Sequence, residues 1–123
     1  SKALQDAITD LKDFTSTCTG LTQILAINYG ARDELTRAIN KAIKSAEPVE
    51  EKDISLLLDT ADFPDVDLMI RTGGDQRLSN FLLWQAAYAE LFFTSTLWPD
   101  FSTGELETML SKYRMTSRRF GAL

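Results

Sequence analysis

The chain has 123 residues, 44% hydrophobic, 10% aromatic and 25% charged, a composition that fits one globular domain and argues against disordered and fibrous classes. Its formal net charge of −5 disfavours nucleic-acid binding, which needs a basic stripe or patch, so any anion site has to be built locally. With one cysteine, Cys18, and no histidine, an intramolecular disulfide and a Cys/His zinc site are excluded, and a metal would be a hard ion held by oxygen. No apolar run approaches the length of about 18 residues that spans a bilayer, and no signal segment opens the chain, so the expected location is the cytoplasm. The opening Ser1, Lys2 and Ala3 fall inside a helical pattern, as expected of a fragment.

In chain order, Leu4, Ala7, Ile8 and Leu11 recur at helical spacing until a Thr/Ser/Gly-rich stretch at 15–20 breaks the period. Residues 21–29 then hold the apolar run Ile24, Leu25, Ala26 and Ile27 and close at Gly30, the pattern of a central strand buried on both faces. Residues 33–43 place Leu35, Ala38, Ile39, Ala42 and Ile43 at helical spacing, and Pro48 stops the helix. A short helix is expected over 50–58 and a second apolar strand over 66–72. Residues 81–88 read as a helix, 91–94 as a third strand, and 105–120 as a final helix with Leu106, Met109, Leu110 and Tyr113 inward. This alternation predicts an α/β fold, a mostly parallel sheet with helices on both faces. Three strands are few, and buried-type strands do not tolerate open edges, so a further half of the molecule or a partner chain should complete the sheet.

The densest chemistry lies in Arg71, Thr72, Gly73, Gly74, Asp75, Gln76, Arg77, Leu78, Ser79 and Asn80. The segment leaves the carboxyl end of a strand and turns through two glycines, where open α/β sheets bind ligands. Two arginines, a serine and glycines whose N–H groups lie open to a close ligand suit a diphosphate. An alternative stands beside that reading: Arg71 and Arg77 pair with acids such as Asp67 and Asp75, and Ser79 caps a helix.

The run Asp67-Leu-Met-Ile-Arg71-Thr-Gly-Gly-Asp-Gln-Arg77-Leu-Ser79-Asn-Phe-Leu-Leu-Trp-Gln-Ala-Ala-Tyr-Ala-Glu90 resembles the C-terminal signature of cis-prenyltransferases of the undecaprenyl diphosphate synthase type. The likeness extends to Ile27-Asn28-Tyr29-Gly30-Ala31-Arg32-Asp33-Glu34, Leu97-Trp98-Pro99-Asp100-Phe101 and Ser117-Arg-Arg119-Phe-Gly121, nearly the whole chain. The departures are slight. Ala31 replaces the second glycine of the family's Asn-Tyr-Gly-Gly-Arg, Asp75 stands for Glu, and Gln76 sits where some members place histidine.

The resemblance implies that residues 1–123 are the C-terminal portion of a larger single-domain cis-prenyltransferase fold, without its N-terminal half. It implies that Arg71, Arg77 and Ser79 hold the diphosphate of isopentenyl diphosphate, that Glu90 coordinates Mg2+, and that Arg119 and Gly121 reach across a homodimer to the partner's substrate. Asn28, Gly30 and Arg32 are read mainly as architecture. The family's catalytic aspartate, in an Asp-Gly-Asn-Gly-Arg loop that binds the allylic diphosphate, has no counterpart here, so no residue is assigned as catalytic and the chain alone is expected to be inactive. The implied reaction condenses isopentenyl diphosphate with an allylic diphosphate such as farnesyl diphosphate to a cis-polyprenyl diphosphate, a cell-wall lipid carrier. A non-catalytic accessory subunit or binding module of such a complex is the alternative. Membrane association would be peripheral, through the lipid product. Because Glu90 precedes the third strand and Arg71 ends the second, parallel connectivity puts them at opposite edges of the sheet, and Glu90 is expected near the dimer interface. Phe81, Trp84, Tyr88, Phe92, Phe93 and Trp98 are read as core or dimer interface rather than as a prenyl tunnel.

Overall fold

A computed structural model describes residues 1–45 and 47–117. Helix α1 (Lys2–Thr15) starts where Ser1 Oγ accepts the Leu4 N–H, but none of its residues is buried. Its apolar stripe stays open to solvent, with Leu4, Leu11 and Phe14 all exposed. The expected central strand is not formed. Residues 21–27 are irregular, and Leu21, Ile24, Leu25 and Ile27 are exposed. Apolar β-formers alone do not make a strand, because its N–H and C=O groups need a neighbouring backbone. Among the described residues the sheet has two strands only.

Helix α2 (Ala31–Ser45) begins against a distant segment: the Ala31 N–H donates to the Asn80 carbonyl and the Arg32 N–H to Asn80 Oδ1, each at 2.9 Å. Its buried face is Ala31, Glu34, Ala38 and Ala42, whereas Ile39 and Ile43 point to solvent. Helix α3 (Glu51–Leu57) packs on α2. Its start is fixed by the Glu50 N–H on Asp53 Oδ2 at 2.9 Å, and Lys41 Nζ donates to the carbonyl of its last residue, Leu57, at 3.0 Å.

Strands β1 (Leu68–Arg71) and β2 (Glu90–Phe93) pair in parallel, Leu68 beside Glu90 and Arg71 beside Phe93. The α/β class and the parallel pairing are as expected. The link between the strands is not a helix at 81–88 but a series of turns. Ser79, Asn80 and Leu82 have φ of 49°, 65° and 45°, in the left-handed region that interrupts a right-handed helix. Tertiary bonds explain the departure, since Asn80 is engaged with α2, the Trp84 indole N–H donates to Ser55 Oγ and Gln85 Nε2 to Thr60 Oγ1.

Pro99 opens a short 3-10 turn (Trp98–Asp100). Helix α4 (Thr103–Met115) follows, capped by Ser102 Oγ on the Glu105 N–H, with Lys112 and Arg114 in its last turn where the helix dipole favours cations. Met109 is buried while Leu106, Leu110 and Tyr113 are half-buried, as the spacing predicted. The helix stops short of the expected residue 120, because Thr116 turns extended. The core is built from Ala31, Ala38, Ala42, Leu58, Ala86 and Met109, mostly small side chains that let backbones approach. No helix among the described residues is long and apolar enough to cross a membrane.

Candidate functional site

The site grows from the carboxyl end of β1. Beyond Arg71 the chain reverses through Gly73 and Gly74, at φ of +91° and +88°, where a side chain would be strained. The turn is tied down: the Gly73 N–H donates to the Thr96 carbonyl and the Gly74 N–H to the Thr94 carbonyl, each at 2.8 Å. These two N–H groups are therefore engaged within the fold. The sequence expectation that these glycine N–H groups lie open to a ligand is not met.

Those side chains converge. Arg71 Nη1 donates to the Arg77 carbonyl and, at 3.0 Å, to Ser79 Oγ, while Nη2 reaches Asp75 Oδ2 at 3.1 Å. Arg77 Nη2 donates to the same Asp75 oxygen at 2.5 Å. The Arg71, Arg77 and Ser79 named from sequence thus form one cluster around Asp75. Of the acid pairing weighed from sequence, the part with Asp75 is formed by both arginines. Ser79 caps no helix; its hydroxyl takes the Arg71 hydrogen bond. Two guanidinium charges against one carboxylate leave a local excess of one positive charge in a chain of net charge −5. The Arg71 side chain is 27% exposed and that of Arg77 64%, so Arg71 is the more enclosed of the two and Arg77 the more open to solvent. A pocket of about 340 Å3 opens here between Met69, Arg71, Thr72, Arg77, Ser79 and Phe81, within the usual size range of small-ligand sites.

Glu90 lies elsewhere. Its N–H donates to the Asp67 carbonyl at 3.0 Å and it pairs with Leu68, which puts it about 10 Å along the ladder from Arg71 at the usual rise per residue. Mg2+ takes near-octahedral oxygen ligands, commonly one or two carboxylates with substrate phosphates. No group of three acidic or other ligating side chains is gathered among the described residues. Arg119 and Gly121 lie outside the described residues.

Beneath the loop is a polar network that the sequence reading missed. Glu34 is 1% exposed. Its carboxylate accepts the Tyr29 hydroxyl at 2.5 Å, the Asp59 N–H at 2.9 Å and Gln85 Nε2 at 3.1 Å. Its only sequence signal was its place three residues after Ala31 and four before Ala38, on the small-residue face of α2. Tyr29 also packs edge-on against Phe81, with ring centroids 5.6 Å apart. Gly30 touches Asn80, where a Cβ would come within 2.9 Å of Nδ2. Gly30 and the Arg32 backbone thus join α2 to the Asn80 turn. Arg37 bridges Asp33 at 2.8 Å and Asp59 at 2.6 Å, and that guanidinium holds the Asp59 carboxyl below the usual range.

Burial, reinforced by the hydrogen bond and the charge of Glu34, pushes the Tyr29 phenol well above its ordinary value. A pKa raised in the folded state leaves stability intact below the unfolded value of about 10 and lowers it as pH rises beyond. We expect an alkaline loss of stability in wild type that Tyr29→Phe reduces, measured as urea midpoints on both sides of that pH. An identical alkaline slope in the variant would disprove the assignment.

Comparisons with known proteins place the chain in a family. The prenyltransferase family model for undecaprenyl diphosphate synthases matches residues 1–121. The chain belongs to this prenyltransferase family. It is 53% identical to the isoprenyl transferase of Wolinella succinogenes over 123 residues, all of this chain and 54% of that protein. Against the isoprenyl transferase of Helicobacter pylori strain 26695 the identity is 49%, over all of this chain and 55% of the relative. A crystal structure of a probable undecaprenyl diphosphate synthase from Campylobacter jejuni superposes with a TM-score of 0.87 at 39% identity, over 99% of this chain and 58% of that one. Lavandulyl diphosphate synthase from Lavandula x intermedia, in complex with dimethylallyl diphosphate, gives a TM-score of 0.92 at 37% identity, over 99% of this prenyltransferase chain and 56% of the plant one. The chain spans about half the length of the relatives it matches.

Proposed function

We propose that the chain is the carboxyl-terminal portion of a cis-prenyltransferase and supplies its isopentenyl diphosphate site. The observation that carries this reading is the convergence of Arg71, Arg77 and Ser79 on one pocket, with charge and hydrogen-bond donors matched to a diphosphate. In the proposed reaction the allylic C–O bond of a substrate such as farnesyl diphosphate breaks and its diphosphate departs with the bonding pair. The double bond of isopentenyl diphosphate then attacks the cationic carbon to form the new C–C bond, and the carbocation left on the isopentenyl unit loses a proton, whose bonding pair becomes the cis double bond. This chain's residues hold the isopentenyl diphosphate end-on. The more enclosed Arg71 sets its register and the more exposed Arg77 closes on it, exchanging part of its pairing with Asp75 for the ligand oxygens.

The rest of the assembly follows as part of the same proposal. A homodimer in the cytoplasm brings Glu90, with Mg2+, toward the site of a second copy. That arrangement accounts for its distance from Arg71 along the ladder and for the exposed Tyr88, Leu91, Leu97 and Trp98, which suit an interface better than solvent. The allylic side belongs to the length of the relatives that this chain does not span, so the chain alone is inactive.

The test is a chimera in which the chain replaces the matched portion of the Wolinella succinogenes enzyme. We expect it to bind isopentenyl diphosphate in calorimetry and to extend farnesyl diphosphate. Binding without extension would favour the accessory-subunit reading, and a response no stronger than that to inorganic phosphate would overturn the assignment.

A further inference from the structure

We infer that Glu105, in the first turn of α4, is a positioning residue for the diphosphate loop, acting through a threonine strap that clamps the double-glycine turn. The inference rests on the proposed isopentenyl diphosphate site and adds to it a residue that does not touch the ligand.

The connection can be followed atom by atom. Glu105 Oε1 accepts the Thr94 hydroxyl at 2.5 Å and the Thr96 hydroxyl at 3.1 Å. The two hydroxyls also lie 3.1 Å from each other; each has one proton, and the short Thr94 contact gives the carboxylate oxygen its stronger partner, with Thr96 completing the group. Thr94 Oγ1 in turn accepts the Thr96 N–H at 3.1 Å, which closes the strap into a tight turn. The two strap residues that face Glu105 through their hydroxyls are the two that hold the glycines through their carbonyls, Thr96 on the Gly73 N–H and Thr94 on the Gly74 N–H, each at 2.8 Å. The Thr94 N–H also donates to the Arg71 carbonyl at 3.0 Å.

One oxygen of Glu105 therefore fixes two carbonyls, and these fix the turn that sets the spacing of Arg71, Asp75 and Arg77. Local sequence does not provide this rigidity, because consecutive glycines are the residues with most conformational freedom to lose. The capping of α4 does not account for the carboxylate either, since Ser102 Oγ satisfies the Glu105 N–H at 3.2 Å and leaves the side chain directed to the strap. Glu105, Thr94 and Thr96 are all half-buried, which shields these charge-assisted bonds from water. The geometry also joins α4 to the loop, so a displacement of the helix start would be felt at the arginines.

Two readouts test the inference. On the chain itself, amide hydrogen exchange reports the Gly73 and Gly74 N–H groups. In the chimera, the KM for isopentenyl diphosphate reports the site. For Glu105→Ala we expect glycine exchange to speed up and KM to rise about tenfold, the usual scale for losing a partner that orients binding groups. Glu105→Gln, which retains an acceptor, should fall between. Thr96→Val removes one donor while keeping the branched shape, and should show the same pattern at reduced size even if Glu105→Ala fails to fold. Unchanged glycine exchange, or faster exchange with KM unaltered, would overturn the inference. Exchange that responds as expected in a chimera whose wild-type form ignores isopentenyl diphosphate would uphold the clamp, overturn its role at this substrate and fault the proposed function itself.

Discussion

Arg71→Ala is expected to weaken isopentenyl diphosphate binding by about ten- to a hundredfold, the loss of about 1.5 to 3 kcal/mol for one charge-assisted hydrogen bond. Arg71 is also the residue that organises its own loop, through the Arg77 carbonyl, Ser79 Oγ and Asp75. Removing it frees Ser79 and leaves Asp75 with Arg77 alone. Arg71→Lys should recover little, because an ammonium carries the charge but not the fork that reaches Ser79 and Asp75 together. Arg77→Ala should cost affinity with less disturbance of the fold, since its side chain is 64% exposed and its one described partner is Asp75. Calorimetry on the chimera, with thermal melts as a control for folding, separates the two arginines. Affinity in Arg71→Ala within twofold of wild type would remove Arg71 from the site.

Glu34→Ala is expected to be the most damaging single change to the fold, at about 3 kcal/mol or more. The carboxylate is the common acceptor for the Tyr29 hydroxyl, the Asp59 N–H and Gln85 Nε2, and a buried donor left without a partner costs about 1–3 kcal/mol. Those three groups come from the loop before α2, the segment after α3 and the link between the strands. Losing Glu34 therefore uncouples three parts of the structure at once. A domain of this size has about 5–15 kcal/mol of total stability, and a melting temperature lower by about 10 °C or more should result. Glu34→Gln should cost less, because its amide oxygen still accepts. Urea midpoints of the two variants provide the measurement. A loss below about 1 kcal/mol for Glu34→Ala would show that the network is not holding the elements together.

These two residues illustrate what could be read in advance. Arg71 was legible because its setting is local: an apolar run, two glycines and a second arginine within a few positions predict a loop at a strand end. Glu34 was not. A glutamate inside a helical pattern reads as a solvated charge, and only the arrival of Tyr29, Asp59 and Gln85 makes its burial tolerable. The same reasoning covers α2, where Leu35, Ala38, Ile39, Ala42 and Ile43 suggested one face: the structure buries Ala38 and Ala42 of that set together with Ala31 and Glu34, and leaves Ile39 and Ile43 exposed. A helix that must approach other backbones closely does so on its small residues, and hydropathy alone cannot see that requirement.

The sequence by itself determined the α/β class, the bounds of α1, α2, α3 and α4 to within a few residues, the two short strands, and the arginine loop, because each depends on neighbours along the chain. The resemblance carried by residues 67–90 pointed to the family that the comparisons then showed. The tertiary structure alone decided that residues 21–27 stay unpaired, that residues 81–88 turn instead of coiling, that the glycine N–H groups are bound by Thr94 and Thr96, and that Glu90 stands apart from Arg71. The physical reason is common to all four. Whether a backbone N–H or a buried carboxylate finds its partner depends on segments distant in sequence, and a strand, a cap or an anion cradle exists only once that partner is in place.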